Sequence, residues 1–188
     1  MSLLLSLSAG PGAAPQPIAA DPGWECLHDG SRVLIRPLQA QDRELETAFL
    51  LSLSPRTRRQ RFLCDFRQPS RALIDQLMDV DHESRIALIA VADTGDGPVE
   101  VGVSRFSATD EPGVCECAVT VTDDWQHKGL GELLMRRLID EARLHGFTRM
   151  ISLDAASNHS MRILARRLGF ERRLDPTDPS QAIHTLAL

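Results

Sequence analysis

Tyrosine is absent from the sequence, and lysine occurs once, as Lys128. No phenol is therefore available for proton transfer anywhere in the chain. All of the 21 basic residues except Lys128 are arginine, and the formal net charge is −5. General binding to nucleic acid or to an anionic membrane is not expected of such a surface. Four cysteines are present, with no C-x-x-C pair and no regular framework. That excludes a disulfide scaffold and a zinc ribbon, and reduced thiols in a cytoplasmic setting are expected. No run approaches the ~18 apolar residues that span a membrane. The first residues, "MSLLLSLSAGPGAAP", include an apolar stretch but no positive n-region, so a secretory leader is not expected. His28, His82, His127, His145, His159 and His184 show no metal-ligand spacing, and no metal is expected.

What is present describes a globular chain. Hydrophobic residues make up 43% and charged residues 25% of 188 positions, enough for one domain burying roughly 70% of its unfolded surface. Residues 1–30 are rich in Ala, Gly, Pro and Ser and read as a flexible N-terminal arm, leaving 31–188 as the domain. "RVLIRPL" reads as a strand. "QDRELETAFLLSL" has helical spacing at Leu45, Phe49 and Leu53. Ser54 and Pro55 start a second helix as N-cap and first helical residue, and Ser70 caps a third. "RIALIAVAD", "VEVGVSRFSA" and "GVCECAVTV" are strands separated by turn residues, with Cys115 and Cys117 as small core side chains. A helix follows, with Leu130, Leu134, Leu138 and Ala142 on one stripe and Gly146 as its stop. "FTRMISLDA" is a strand. "NHSMRILARRL" is a helix with Met161, Leu164, Ala165 and Leu168 at i, i+3, i+4, i+7, and two further strands end the chain. The fold class is α/β (α+β): a mixed sheet covered by helices.

Between the third of those strands and its helix lies "DDWQHKGLGELLMRR". The first amides of a helix lack internal partners and sit at the positive end of its dipole, so they form an anion site. Glycines at 129 and 131 let a phosphate approach the backbone, and Lys128 would add a point charge. The Walker loop is absent. The dinucleotide fingerprint fails because its third glycine falls on Leu134. A third pattern, Gln/Arg-x-x-Gly-x-Gly/Ala after a strand, matches as Gln126-His127-Lys128-Gly129-Leu130-Gly131. A plain glycine-rich turn is the alternative.

The element order, "VTVTDDWQHKGLG" and "NHSMRILARRLGF" together resemble the GCN5-related N-acetyltransferase (GNAT) family from about Ser31 to Leu188. "IRPLQAQDRELETAFLLSLSPRTRRQRF" and "LARRLGF" resemble more narrowly the acetyltransferase domain of bacterial protein lysine acetyltransferases. The resemblance implies a mostly antiparallel central sheet with a splayed strand pair, flanked by helices. It implies acetyl-CoA as cosubstrate. Val119, Thr120 and Val121 would pair with the pantetheine arm. The loop His127, Lys128, Gly129, Leu130, Gly131 and Glu132, entered through Gln126, would hold the diphosphate, and Asn158 would contact the pantetheine region. The implied reaction is direct attack of a primary amine, with protein lysine preferred. A small-molecule amine or a non-catalytic acyl-CoA sensor are the alternatives. Dimerisation is common in the family.

Amine acetylation needs the neutral amine, whereas a lysine amine has a pKa of ~10.4. A base must take its proton, directly or through water. Glu116 is the candidate. It is an acid inside the apolar strand "VCECAVTV", sharing one face with Ala118 and Thr120, while Cys115, Cys117 and Val119 face the other way. Desolvation there would raise its pKa, and the resemblance puts the base at this strand position. Asp154 is the second candidate. Many family members carry a Tyr seven residues after the Asn as acid for the departing thiolate. Here that position is Ala165, so water is the expected proton source, with His159 and Ser160 as substitutes. Arg56, Arg58, Arg59 and Arg61 form a cluster in the region that lines the acceptor side in the family. A solvated helix face is the alternative reading of that cluster.

Overall fold

The computed structural model describes residues 23–63, 67–95 and 97–188. Two strands, β1 (Trp24–Cys26) and β2 (Arg32–Pro37), lead into α1 (Arg43–Ser52), α2 (Pro55–Phe62) and α3 (Arg71–Met78). Then come β3 (Arg85–Asp93), β4 (Pro98–Ala108), β5 (Val114–Val121), α4 (Leu130–Leu144), β6 (Arg149–Ala155), α5 (His159–Arg167), β7 (Glu171–Leu174) and β8 (Gln181–Ala187). The strands form one sheet in the order β1-β2-β3-β4-β5-β6-β8-β7. Every neighbouring pair is antiparallel except β5 and β6. The mixed, mostly antiparallel sheet flanked by helices agrees with the sequence reading. Among the described residues, no helix is long and apolar enough to cross a membrane.

The helix starts follow from local chemistry. The Ser54 hydroxyl accepts from the Thr57 amide at 3.2 Å, with Pro55 at the first helical position. Ser70 does the same for the Leu73 amide at 3.1 Å. Each satisfies a donor that the helix cannot pair internally. The stripe on α4 is a core face: Leu134, Met135, Leu138 and Ala142 are fully buried against the sheet. A buried leucine of this kind contributes about 1.5–3 kcal/mol.

Both faces of the sheet are covered. Along β3, Ile86, Leu88, Ala90 and Ala92 face the side of the sheet covered by α4 and share one hydrophobic cluster with it. The alternate residues Ala87, Ile89 and Val91 pack with Phe49, Leu50, Ile74 and Leu77 of α1 and α3. This period of two, buried on both sides, explains why β3 reads as an unbroken apolar run. On β5, Cys115, Cys117, Val119 and Val121 join the α4 side. Glu116, Ala118 and Thr120 therefore point to the α1–α2 side, as alternation requires.

One boundary differs from the sequence reading. Residues 24–26, assigned there to the arm, form β1, with Trp24, Glu25 and Cys26 opposite Leu34, Val33 and Arg32. Leu27 is buried, Arg32 stacks on the Trp24 ring at 5.3 Å, and Glu25 pairs with Arg137 of α4. A three-residue strand is too short to show periodicity. The rest of the arm, 1–22, and Cys64 lie outside the described residues.

Candidate active site

β5 and β6 lie side by side and parallel, but their pairing covers only Val114–Glu116 against Arg149–Ile151. Beyond it, β5 stays paired to β4 as far as Val121, and β6 stays paired to β8 as far as Ala155. The two strands diverge, and a cavity of about 630 Å³ fills the opening. The splayed pair implied by the resemblance is present. From Cys117 to Val121, the backbone edge of β5 facing this gap has no strand partner among the described residues. Unpaired backbone groups beside a cavity are groups that a ligand can satisfy. The Thr120 hydroxyl, on a residue only 6% exposed, also lacks a hydrogen-bond partner. Val119, Thr120 and Val121 all line the cavity.

The glycine loop forms its next wall. Gly129 adopts φ 93°, a left-handed conformation that favours glycine, and serves as the N-cap of α4. His127 is also left-handed, at φ 62°. Together they turn the chain so that Gly131 and Glu132, in the first turn of α4, face the cavity. A methyl placed on Gly131 would lie 3.7 Å from Leu164 and 3.8 Å from Val121, in the throat between α5 and β5. The open first turn of α4 and the bare Gly131 fit an anionic group.

Several loop side chains do other work than expected. Lys128 does not line the cavity. Its ammonium pairs with Asp29 at 3.0 Å and lies over the Trp125 ring at 4.8 Å. Its carbonyl accepts from the His28 amide at 3.1 Å, so the β1–β2 turn is tied to the loop. Leu130 is 1% exposed and belongs to the core, leaving only its backbone for a ligand. Gln126 donates to the Val121 carbonyl at 3.1 Å and to the Thr57 hydroxyl at 3.3 Å. Glu132 pairs with Arg136 at 2.8 Å. The sequence reading missed Asp123, which accepts from Ser54 N, Ser54 Oγ and Thr57 Oγ1 at 3.1, 2.8 and 2.9 Å. Asp123 and Gln126 thus fasten α2 to the loop. The sequence shows only a threonine three residues after an N-cap serine, which does not by itself point to Asp123.

The acids come next. Glu116 lines the cavity on the α2 side but is exposed. The desolvating apolar enclosure expected around it is absent, because the strands part at this residue. Asp154, also on the cavity wall, is less exposed. Burial pushes its carboxyl above the ordinary value, opposed by hydrogen bonds from Ser152 and Asn158 and by the nearby His184 and Arg61. Asn158 reaches the cavity with both ends of its amide engaged: Oδ1 caps α5 by accepting from Met161 N at 3.1 Å, and Nδ2 donates to Asp154 at 3.3 Å. Cys117 also borders the cavity. Burial pushes its thiol up, which disfavours the reactive thiolate.

Of the arginine cluster, only Arg61 lines the cavity. Arg56 and Arg59 are exposed, and for Arg56 this favours the solvated-face reading. Ala165 is buried at 1%. Ser160 borders the cavity, whereas His159 is exposed and contacts Arg162 at 2.8 Å.

This arrangement is similar to known proteins. The acetyltransferase (GNAT) family matches residues 49–170. An acetyltransferase of Pseudomonas aeruginosa is 49% identical over 171 residues, covering 91% of this chain and 92% of that protein. Acetyltransferase Pat of Mycolicibacterium smegmatis is 30% identical over 143 residues, covering 76% of this chain; the match spans 42% of Pat. The crystal structure of the GNAT domain of S. lividans PAT superimposes with a TM-score of 0.80 at 20% identity, covering 88% of this chain and 96% of that one, a likeness of fold.

Proposed function

The chain belongs to the acetyltransferase (GNAT) family and is an N-acetyltransferase; on that premise we propose that it carries out acetyl-CoA-dependent transfer to a primary amine in the cleft between β5 and β6. The observation that carries this reading is the divergence of those strands after Glu116, with the glycine loop and helix start that follow β5 and the carboxylates of Glu116 and Asp154 all lining the opening.

Acetyl-CoA supplies an acetyl thioester when bound. The backbone amides from Gly129 to Glu132 hold its diphosphate, aided by the helix dipole. The free edge of β5 at Val119, Thr120 and Val121 pairs with the pantetheine arm. Backbone N–H groups of that edge stabilise the charge that develops on the thioester oxygen. Glu116, facing α2, takes the proton from the acceptor ammonium directly or through a water. With no tyrosine in the chain, water protonates the departing thiolate, which as a thiolate is a far better leaving group than an alkoxide or amide. The Ser160 hydroxyl, which borders the cavity, is the alternative. The burial of Cys117, 3% exposed, supports direct attack by the amine over an acyl-cysteine route.

The segments 35–62 and 164–170, whose resemblance runs to protein lysine acetyltransferases, support protein lysine as acceptor, with a small amine second. Thiol release from acetyl-CoA across a panel of amines and lysine peptides tests the reading. Amine-dependent release with an acetylated product is expected. CoA binding without release on any acceptor would replace transfer by a sensing role.

A further inference from the structure

Arg61 sits in the last turn of α2, where Leu63 at φ 54° closes the helix. It lines the cavity on the same side as Glu116 and stacks on the Phe62 ring at 4.8 Å. Among the described residues, its guanidinium makes no hydrogen bond and no ion pair. The charges around it are Arg105, Glu46, Asp154 and Glu116, and most of them are committed elsewhere. Arg105 binds Glu46 at 2.8 Å and the Leu77 carbonyl at 2.8 Å. Asp154 is held by Ser152 at 2.9 Å and by Asn158. Glu116 has no hydrogen-bond partner among the described residues and lines the same cavity.

A guanidinium on a cavity wall without a direct ion-pair partner has its desolvation cost offset only in part, here by the Phe62 ring and the more distant Glu46, Asp154 and Glu116 carboxylates. Burial, reinforced by Arg105, pulls Arg61 down to about 10. Its planar fork of N–H donors matches a carboxylate in two-point contact. The cavity wall thus presents one cation and one carboxylate without ion-pair partners to the same acceptor.

We propose that Arg61 binds a carboxylate carried by the acceptor close to its reactive amine, while Glu116 faces the ammonium. This rests on the amine-acetylation reading above and narrows its acceptor to amines with a neighbouring carboxylate. Two sources share that chemistry: a free α-amino acid, and a protein lysine beside an aspartate or glutamate.

The test compares matched acceptors on the full chain. One arm sets free amino acids against their amides. The other sets peptides with lysine next to Asp against the same peptides with Asn. In each arm, the ratio of kcat/KM for the carboxylate and amide members is measured in wild type, Arg61→Gln and Arg61→Lys. Intrinsic amine reactivity cancels when the ratios are compared between proteins. The ratio should fall about 10- to 100-fold in Arg61→Gln, through KM, and less in Arg61→Lys, with unchanged melting temperatures. The arm that shows the fall identifies the source. A ratio unchanged by Arg61→Gln in both arms overturns the proposal while leaving acetylation intact. If no acceptor is acetylated, the transfer reading fails by itself. Calorimetric titration of the same amino acids and peptides into CoA-loaded protein then reads the subsite. Carboxylate-dependent binding lost in Arg61→Gln supports it, and binding of no carboxylate member overturns it.

Discussion

The amide of Asn158 joins Asp154 to the first turn of α5, donating to Oδ1 of Asp154 at 3.3 Å while accepting from Met161 N at 3.1 Å. The asparagine that the sequence offers as a ligand contact is thus also a fastener between β6 and α5. Asn158→Ala removes the cap and should cost about 1 kcal/mol, a melting shift of about 2–4 °C for a chain of this size. Thermal denaturation checks it, and an unchanged midpoint would show that the cap carries no stability.

Glu100 on β4 is 1% exposed, beside the Glu46 carboxylate that Arg105 neutralises. Burial and Glu46 push the Glu100 carboxyl up to about 10. Its folded pKa lies above the unfolded value of 4.5. Its stabilising contribution is therefore full below pH 4.5 and is lost as pH rises toward 10, by at most about 1.4 kcal/mol per pH unit. Glu100→Gln should flatten this loss and raise the melting temperature more at pH 8 than at pH 5. Equal shifts at the two pH values would contradict the burial of a protonated acid there.

Lys128 points at Asp29 and Trp125 instead of the cleft. Lys128→Met should therefore change CoA affinity by no more than about fivefold, the range of a surface ion pair. A larger loss in calorimetry would mean that the ammonium swings into the cleft when ligand binds.

Much of the architecture was legible because its signals are local. Ser54-Pro55 and Ser70 announce helix starts, Gly129-Leu130-Gly131 announces a bare helix N-terminus, and the unbroken apolar run of β3 announces a buried strand. The splay of β5 from β6 came from the family resemblance, since no residue at 117 or 152 encodes it alone. What stayed hidden depends on contacts between distant segments. Asp123 reads as a loop acid until α2 is packed beside it, 66 residues away from Thr57. Lys128 reads as a phosphate ligand until Asp29 is folded against it. Glu116 reads as a desolvated acid until the strands part beside it.

Glu116→Gln keeps the side-chain size and removes the carboxylate. Turnover at neutral pH should fall about 10²–10⁴-fold, with CoA affinity barely changed. The deficit should shrink at high pH, where more of an acceptor amine of pKa ~10.4 is already neutral. Near-normal turnover at neutral pH would remove Glu116 as the base and leave Asp154 or water.

The cleft between β5 and β6 as the acetyl-CoA site is tested most directly by calorimetry of CoA binding to the wild type and to Gly131→Val. A Cβ at Gly131 would meet Leu164 and Val121 only at ordinary contact distances, 3.7 and 3.8 Å, so the fold should survive while the added side chain occupies the throat. Binding by the wild type, weakened by more than about tenfold (1.4 kcal/mol) in the variant at an unchanged melting temperature, is the predicted result. Unchanged CoA affinity in a folded Gly131→Val protein would contradict it.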